Sequence, residues 1–253
     1  MSAVTRYSDY DSFAWVSNKH WGPLLIDQLL PVLERLISRH LPAKAHILDL
    51  CCGTGLLAKV LIARGYRVTG LDGSEEMLHF ARENAPEGDF VLDDARSFKL
   101  PTVFDGVVST YDSLNHVMSL EELTAVFRNV YAVVQGGGYF MFDLTVEEGY
   151  RAHQGDSLSF VEDDHVCVIR LAYRPEARVR QSDITIFRLM DGDWKRSDFT
   201  LQEKGYLPEE VYKSLEVEGF TEIHSYNAQG DLEFSEEGRM FFVCRKPGRA
   251  TTG

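Results

Sequence analysis

The sequence is poor in positive charge. Its 26 lysine and arginine residues stand against 39 aspartates and glutamates, a formal net charge of −13. A field of that sign repels polyanions, so neither nucleic acid nor an anionic lipid surface is expected as a partner. Cysteine is scarce too: Cys51, Cys52, Cys167 and Cys244 include one adjacent pair and no C-x-x-C spacing. That pattern argues against a disulfide framework and a zinc site, and the four are read as buried thiols in a reducing compartment. No run approaches the ~20 apolar residues of a membrane span, and MSAVTRYSDYDSFAWV has no apolar signal core. A cytoplasmic protein is expected. Low-complexity tracts are missing as well, and 44% hydrophobic residues over 253 positions suffice for a buried core.

What is present is an alternation of periods. Leucines and isoleucines recur at helical spacing from Pro23 to about His40, with Pro31 expected to kink or split the run. HILDL then reads as a strand, GLLAKVLIARG as a helix closed by Gly65, YRVTGLD as a strand, and SEEMLHFAREN as a helix capped by Ser74. DFVLDDA and FDGVVST are further strands, Ser119 with Glu122 opens a helix with a capping box, and YFMFDLT is a fifth strand. Strands and helices in this alternation over Ala45 to Thr145 specify an α/β fold with a doubly wound, mostly parallel sheet.

Beyond Ser157 the period becomes two. SFVEDDHVCVIRLAYR, ARVRQSDITIFRLM and DWKRSDFTLQEKGY alternate, and Asp191-Gly192 marks a hairpin turn. They predict an antiparallel β subdomain inserted at 151–204, with a helix from Pro208 to Gly219 and a closing antiparallel pair returning the chain to the α/β domain. The expected divisions are an N-terminal segment over 1–22, an α/β domain over 23–150 and 205–247, and a disordered tail over 248–253.

The stretch ILDLCCGTG carries the chemistry. GTGLLA satisfies G-x-G-x-x-G/A between a strand and a helix, and Asp72 ends the next strand, where a carboxylate can accept the hydroxyls of a ribose. Asp49 immediately upstream opposes a pyrophosphate but attracts a cation. S-adenosylmethionine brings a sulfonium and an ammonium, so it fits both aspartates.

The segments ILDLCCGTG, VTGLDGSEEML, VLDDA, FDGVVSTYDSLNHV and GGGYFMFDLT, in this order and spacing over about residues 40–146, resemble the class I S-adenosylmethionine-dependent methyltransferases. The resemblance implies that Asp49, Cys51, Gly53, Thr54 and Gly55 line the cofactor's methionine end and that Asp72 holds the ribose. It further places Gly73 or Met77 behind the adenine, Asp93 or Asp94 with Ala95 at its amino group, and Tyr111 over the cofactor.

For the acceptor, TYDSLNHV follows the fourth strand, where ligands of open α/β sheets bind. It lacks the Asn/Asp-Pro-Pro-aromatic motif of DNA and glutamine amino methylation, and no metal-ligand spacing is seen. Tyr111 and His116 are the candidate catalytic residues, with His116 the neutral-pH base, and Asp112 and Asn115 are candidate binding groups. The layout is similar to small-molecule N-methyltransferases, which implies a lid carrying Tyr7, Tyr10 and Trp15 and an inserted sheet roofing the acceptor pocket, with Tyr206 at its exit pointing inward. The expectation is methyl transfer to a small-molecule amine by a monomer or homodimer. A nicotinamide-dependent oxidoreductase and a non-catalytic S-adenosylmethionine-binding protein are the competing readings.

Overall fold

A computed structural model describes residues 8–248. The chain starts with α1 (Ser8–Val16), a π-helical turn over Ser17–Trp21, and α2 (Gly22–Leu36). Pro23 occupies the first turn of α2, where its missing N–H costs nothing. Pro31 lies inside α2 without splitting it, because the buried Leu29, Val32, Leu33 and Leu36 hold the helix on the core across the lost hydrogen bond.

The expected alternation follows: β1 (His46–Leu50), α3 (Leu56–Ala63), β2 (Arg67–Asp72), α4 (Glu75–Asn84), β3 (Asp89–Leu92), β4 (Phe104–Ser109), α5 (Leu120–Val133) and β5 (Val134–Thr145). Ser74 Oγ accepts the Met77 N–H at 3.2 Å and Ser119 Oγ accepts the Glu122 N–H at 3.2 Å, so both caps form.

After α6 (Glu147–Ala152) come four antiparallel strands: β6 (Ser157–Glu162), β7 (His165–Arg174), β8 (Val179–Met190) and β9 (Asp193–Lys204). The run 159–174 is therefore two strands rather than one. Asp191 and Gly192 both adopt positive φ, 53° and 87°, as a two-residue hairpin turn with matching twist demands. The chain returns through α7 (Pro208–Val217), β10 (Thr221–Asn227), α8 (Ala228–Leu232) and β11 (Arg239–Arg245).

The seven-stranded sheet has the order β10-β11-β5-β4-β1-β2-β3. All its pairs are parallel except those of β11, which runs antiparallel to β5 and β10. One apolar layer, including Val126, Phe127, Phe140 and Phe142, packs α5 and α7 on one face; another, including Leu33, Ile47, Leu61 and Met141, packs α2 and α3 on the other. The smaller sheet aligns residues across β7, β8 and β9 in rows: Ile169–Ile184–Phe199, Leu171–Ser182–Leu201 and Tyr173–Arg180–Glu203. Helix α1 packs against α4 and β9, and so bridges the two sheets over the carboxyl ends of β1, β2 and β4.

Candidate active site

Strand β1 ends at Leu50, and the chain must reverse within a few residues to enter α3. Cys51, Gly53 and Gly55 take positive φ of 60°, 52° and 72° to do so. A Cβ at Gly55 would lie 2.8 Å from Ala81 Cα, so this glycine serves the close approach of α3 to α4 and does not line the cavity, contrary to the sequence expectation. At Gly53 the nearest atom to such a Cβ is Met77 Sδ at 4.0 Å, leaving that backbone open to a ligand. The Gly53 N–H donates to Asp72 Oδ2 at 2.8 Å and the Ser74 N–H to Asp72 Oδ1 at 3.0 Å, which fixes the carboxylate at the tip of β2.

Asp49 is buried in β1, and its Oδ2 has no hydrogen-bond partner among the described residues. Burial, and then the Asp72 charge, push its carboxyl up to about 8. An orphaned buried carboxyl of this kind is stabilised in its charged form by an incoming cation.

These groups open onto one cavity of about 540 Å³. Of the residues expected around the cofactor, Asp49, Cys51, Gly53, Thr54, Asp72, Gly73, Met77, Ala95 and Tyr111 line it. Asp93 and Asp94 do not. Asp93 Oδ1 accepts the Asp94 N–H at 2.8 Å, and the Asp94 carboxylate is engaged by Arg96, Nε to Oδ1 at 2.9 Å. Arg96 in turn donates to Glu122 at 2.7 Å.

At the end of β4 two consecutive residues, Tyr111 and Asp112, adopt φ of 63° and 49°, a strained conformation for non-glycine residues. The loop is held by Asp143 in β5, whose carboxylate accepts both their N–H groups at 2.8 and 2.9 Å. Arg239, at the start of β11, contacts Asp143, Asp112 at 3.4 Å and Glu236 at 2.5 Å. Arg180 in β8 donates to Glu203 in β9 at 2.5 Å and lies 3.7 Å from Asp112. Burial works to raise the Asp112 pKa, but the Arg239 and Arg180 guanidiniums outweigh it and hold this carboxylate below its ordinary range.

Tyr10, Asp112 and His116, expected at the acceptor, line the cavity. His116 Nδ1 lies 2.9 Å from the Gln202 carbonyl, which can only accept, so Nδ1 carries the proton and Nε2 the free lone pair. Tyr10 stacks edge-on to His116 at 5.1 Å, and its buried hydroxyl has no partner among the described residues. Asn115, Trp15 and Tyr206 lie elsewhere. Asn115 is a buried tie: its Oδ1 accepts the Thr145 N–H at 2.9 Å and its Nδ2 donates to the Thr145 and Lys204 carbonyls at 3.0 and 2.8 Å. Trp15 packs edge-on against His165 at 4.9 Å beneath the Arg188 guanidinium at 4.0 Å. Tyr206 is in the core with its hydroxyl donating to the Val117 carbonyl, so it does not point into the pocket. Tyr7 lies outside the described residues.

The sequence reading did not single out Asp143, Arg180, Glu203, Arg239, Phe13 or Trp21. Asp143 had a visible signal, a carboxylate inside the apolar run FMFDLT, just as Asp49 stands inside ILDL. Arg180 and Glu203 sit in alternating strands whose inward face is defined only by the register.

Residues 47–138 match the family described as a methyltransferase domain. The chain is 30% identical over 244 residues to YqeM of Bacillus subtilis (strain 168), a protein named as a methyltransferase; the match spans 94% of this chain and 97% of that one. A Streptomyces fradiae dTDP-3-amino-3,6-dideoxy-alpha-D-glucopyranose N,N-dimethyltransferase is 34% identical over 106 residues, 42% of each protein. The S-adenosylmethionine-bound amino pentose methyltransferase of calicheamicin biosynthesis from Micromonospora echinaspora superposes with a TM-score of 0.71 at 21% identity, covering 93% of this chain and 96% of that one. The chain belongs to the class I S-adenosylmethionine-dependent methyltransferases. S-adenosylmethionine is the cofactor, and the competing nicotinamide reading falls with that membership. The residues fit the cofactor: the orphaned Asp49 oxygen suits its cationic end, and the open backbone at Gly53 admits close approach.

Proposed function

We propose that the protein methylates an amine nitrogen of a small molecule in the cytoplasm, with α1 serving as a lid over the cavity. The observation that carries this reading is His116: an imidazole on the cavity wall with Nδ1 committed to a carbonyl and Nε2 free, 3.9 Å from the buried Glu203 carboxylate. When bound, the cofactor would supply an electrophilic methyl group on sulfur, which an amine lone pair would take as the C–S bond's electrons stay on sulfur. Before that step a protonated amine must lose a proton, and His116 Nε2 is placed to take it. Asp49 and Asp72 hold the donor side, and Tyr10 on α1 lies between them and the acceptor wall. Its raised pKa, due to burial, then Glu203, Asp112 and Asp72, keeps the hydroxyl neutral as a hydrogen-bond donor. Enclosure by α1 and the inserted sheet excludes water, so alignment supplies most of the rate. The relatives named as amino-sugar N-methyltransferases support nitrogen as the acceptor atom.

Incubation with methyl-labelled S-adenosylmethionine and a library of primary, secondary and aromatic amines tests the proposal. Label in an amine is expected, with kcat about 100-fold lower in His116→Ala at neutral pH. Tight binding of the cofactor with no acceptor labelled would instead favour a non-catalytic binding protein.

A further inference from the structure

The inward face of the inserted sheet is graded. Its row nearest the Tyr111–His116 loop contains Arg180 and Glu203; the next two contain Leu171 with Leu201 and Ile169 with Ile184, interrupted on the cavity side by Ser182 alone. Leu158, which pairs with Ile169, extends this wall, and Phe13 and Trp21 face the same cavity from the N-terminal segment. Alternate residues of a strand are about 6.6 Å apart, so the apolar rows add roughly 13 Å of wall beyond the charged one.

We infer that the acceptor is a cationic amine carrying an apolar body, whose ammonium end is received by Glu203 and whose body lies along the apolar rows. The inference rests on the amine reading above and narrows it. Glu203 is 5% exposed and lines the cavity, and its Oε1 accepts from Arg180. The Tyr150 hydroxyl is buried beside it and interacts with the same carboxylate, its ring lying 5.0 Å from the Arg180 guanidinium. A nearly buried carboxylate on the wall, offset by one guanidinium that Asp112 shares, is stabilised by a ligand that brings a charged donor. An ammonium does.

The charge balance points the same way. Arg180 and Arg239 are the lysine or arginine residues among those lining the cavity, and both are committed to ion pairs. Four carboxylates, Asp112, Asp143, Glu203 and Glu236, surround these two cations. A further cation is favoured there, whereas a nucleotide diphosphate would set two negative charges beside four carboxylates, with the Arg180 Nε–H as the one unpartnered arginine donor among the described lining residues. Sugar hydroxyls laid on Ile169, Ile184 and Leu201 would also lose their hydrogen bonds to water without replacement. The pocket therefore rejects nucleotide-linked amino sugars, although relatives of this chain act on them.

The test is a rate series with the intact protein and labelled cofactor: straight-chain primary amines from propylamine to octylamine, beside a dTDP-linked amino sugar. The expected kcat/KM rises about fourfold per methylene until the apolar rows are spanned, with the sugar below about 1% of the best amine. A flat series overturns the apolar body. Labelling of the sugar as fast as the amines overturns this inference and leaves amine transfer intact, whereas labelling of no amine of either kind overturns both. Calorimetry on the S-adenosylhomocysteine-loaded protein tests Glu203 separately. Hexylamine should bind about tenfold more tightly than hexanol, and E203Q should abolish the difference. Should E203Q misfold, E203D, which withdraws the charge from the wall, should narrow the difference, and a preference undiminished in every folded variant removes Glu203 as the anchor.

Discussion

His20 and His165 face each other with their Nε2 atoms 2.6 Å apart, joining the turn after α1 to the first residue of β7. At that distance one nitrogen must donate and the other accept. His165 Nδ1 lies 2.6 Å from Asp164, and Lys19 approaches the same carboxylate at 3.3 Å, so the pair sits among Lys19, Asp164 and Glu162. Burial, then His165 and Lys19, depress the His20 pKa.

A depressed histidine contributes stability that is complete above its unfolded pKa of about 6.5 and is lost as the pH falls through its lower folded value. Acidification from pH 7.5 to 5.5 is therefore expected to loosen the N-terminal segment. Limited proteolysis within residues 8–22 should accelerate several-fold at the lower pH. His20→Phe, which keeps the stacking on Phe160 at 4.4 Å, should remove that acceleration. A wild-type rate independent of pH refutes the coupling.

Most of this site was legible because its constraints are local. The turn after β1 needs residues tolerating positive φ, a loop lined by backbone needs glycine, and a strand-end carboxylate next to them selects a ligand, so Asp49, Gly53 and Asp72 stand out in one dimension. The proposed acceptor side is made differently. Arg180 and Glu203 meet only because β8 and β9 pair in one register, and Arg239 reaches Asp112 and Asp143 from 96 residues beyond the latter. Tyr206 and Asn115 were polar residues near the right strand ends, but which way a side chain points there is decided by long-range packing. Their polar atoms are consumed by the carbonyls of Val117, Thr145 and Lys204.

That assignment makes Tyr206→Phe a structural rather than a functional change. Losing the hydroxyl leaves the Val117 carbonyl unpaired in the core, a destabilisation of about 1–3 kcal/mol. Chemical denaturation should show the loss, while KM for the acceptor stays within about twofold of the wild type. A large KM effect at unchanged stability would return Tyr206 to the pocket.

Arg239 should be among the most sensitive positions. Its guanidinium compensates Asp143, Asp112 and Glu236 together, and Asp143 in turn holds the strained Tyr111–Asp112 backbone. Arg239→Met removes the charge and strands these carboxylates, with an expected loss of about 3–5 kcal/mol. The double variant Arg239→Met with Asp143→Asn should recover part of that loss, because one stranded charge is gone. A double variant less stable than the sum of the single changes would show that the backbone hydrogen bonds from Tyr111 and Asp112, not the charge, dominate.

Asp49 allows a prediction with opposite signs for folding and for binding. With its carboxyl at about 8, the free protein holds this group largely protonated at neutral pH. A raised carboxyl contributes stability that is complete below the unfolded value of 3.8 and is lost as the pH climbs through about 8. Asp49→Asn is thus expected to raise the Tm of the free protein at pH 8.5. Binding runs the other way: the cationic cofactor is attracted only to the ionised carboxylate, so binding releases a proton. The affinity for S-adenosylmethionine should rise with pH by up to about tenfold per unit below pH 8 and level off above it. In Asp49→Asn the affinity should be weaker and the slope flat. Titration calorimetry at pH 6.5, 7.5 and 8.5 in buffers of different ionisation enthalpy reads both the slope and the released proton. Wild-type affinity independent of pH, or an asparagine variant that binds as tightly, would show that Asp49 does not hold the cofactor's charge.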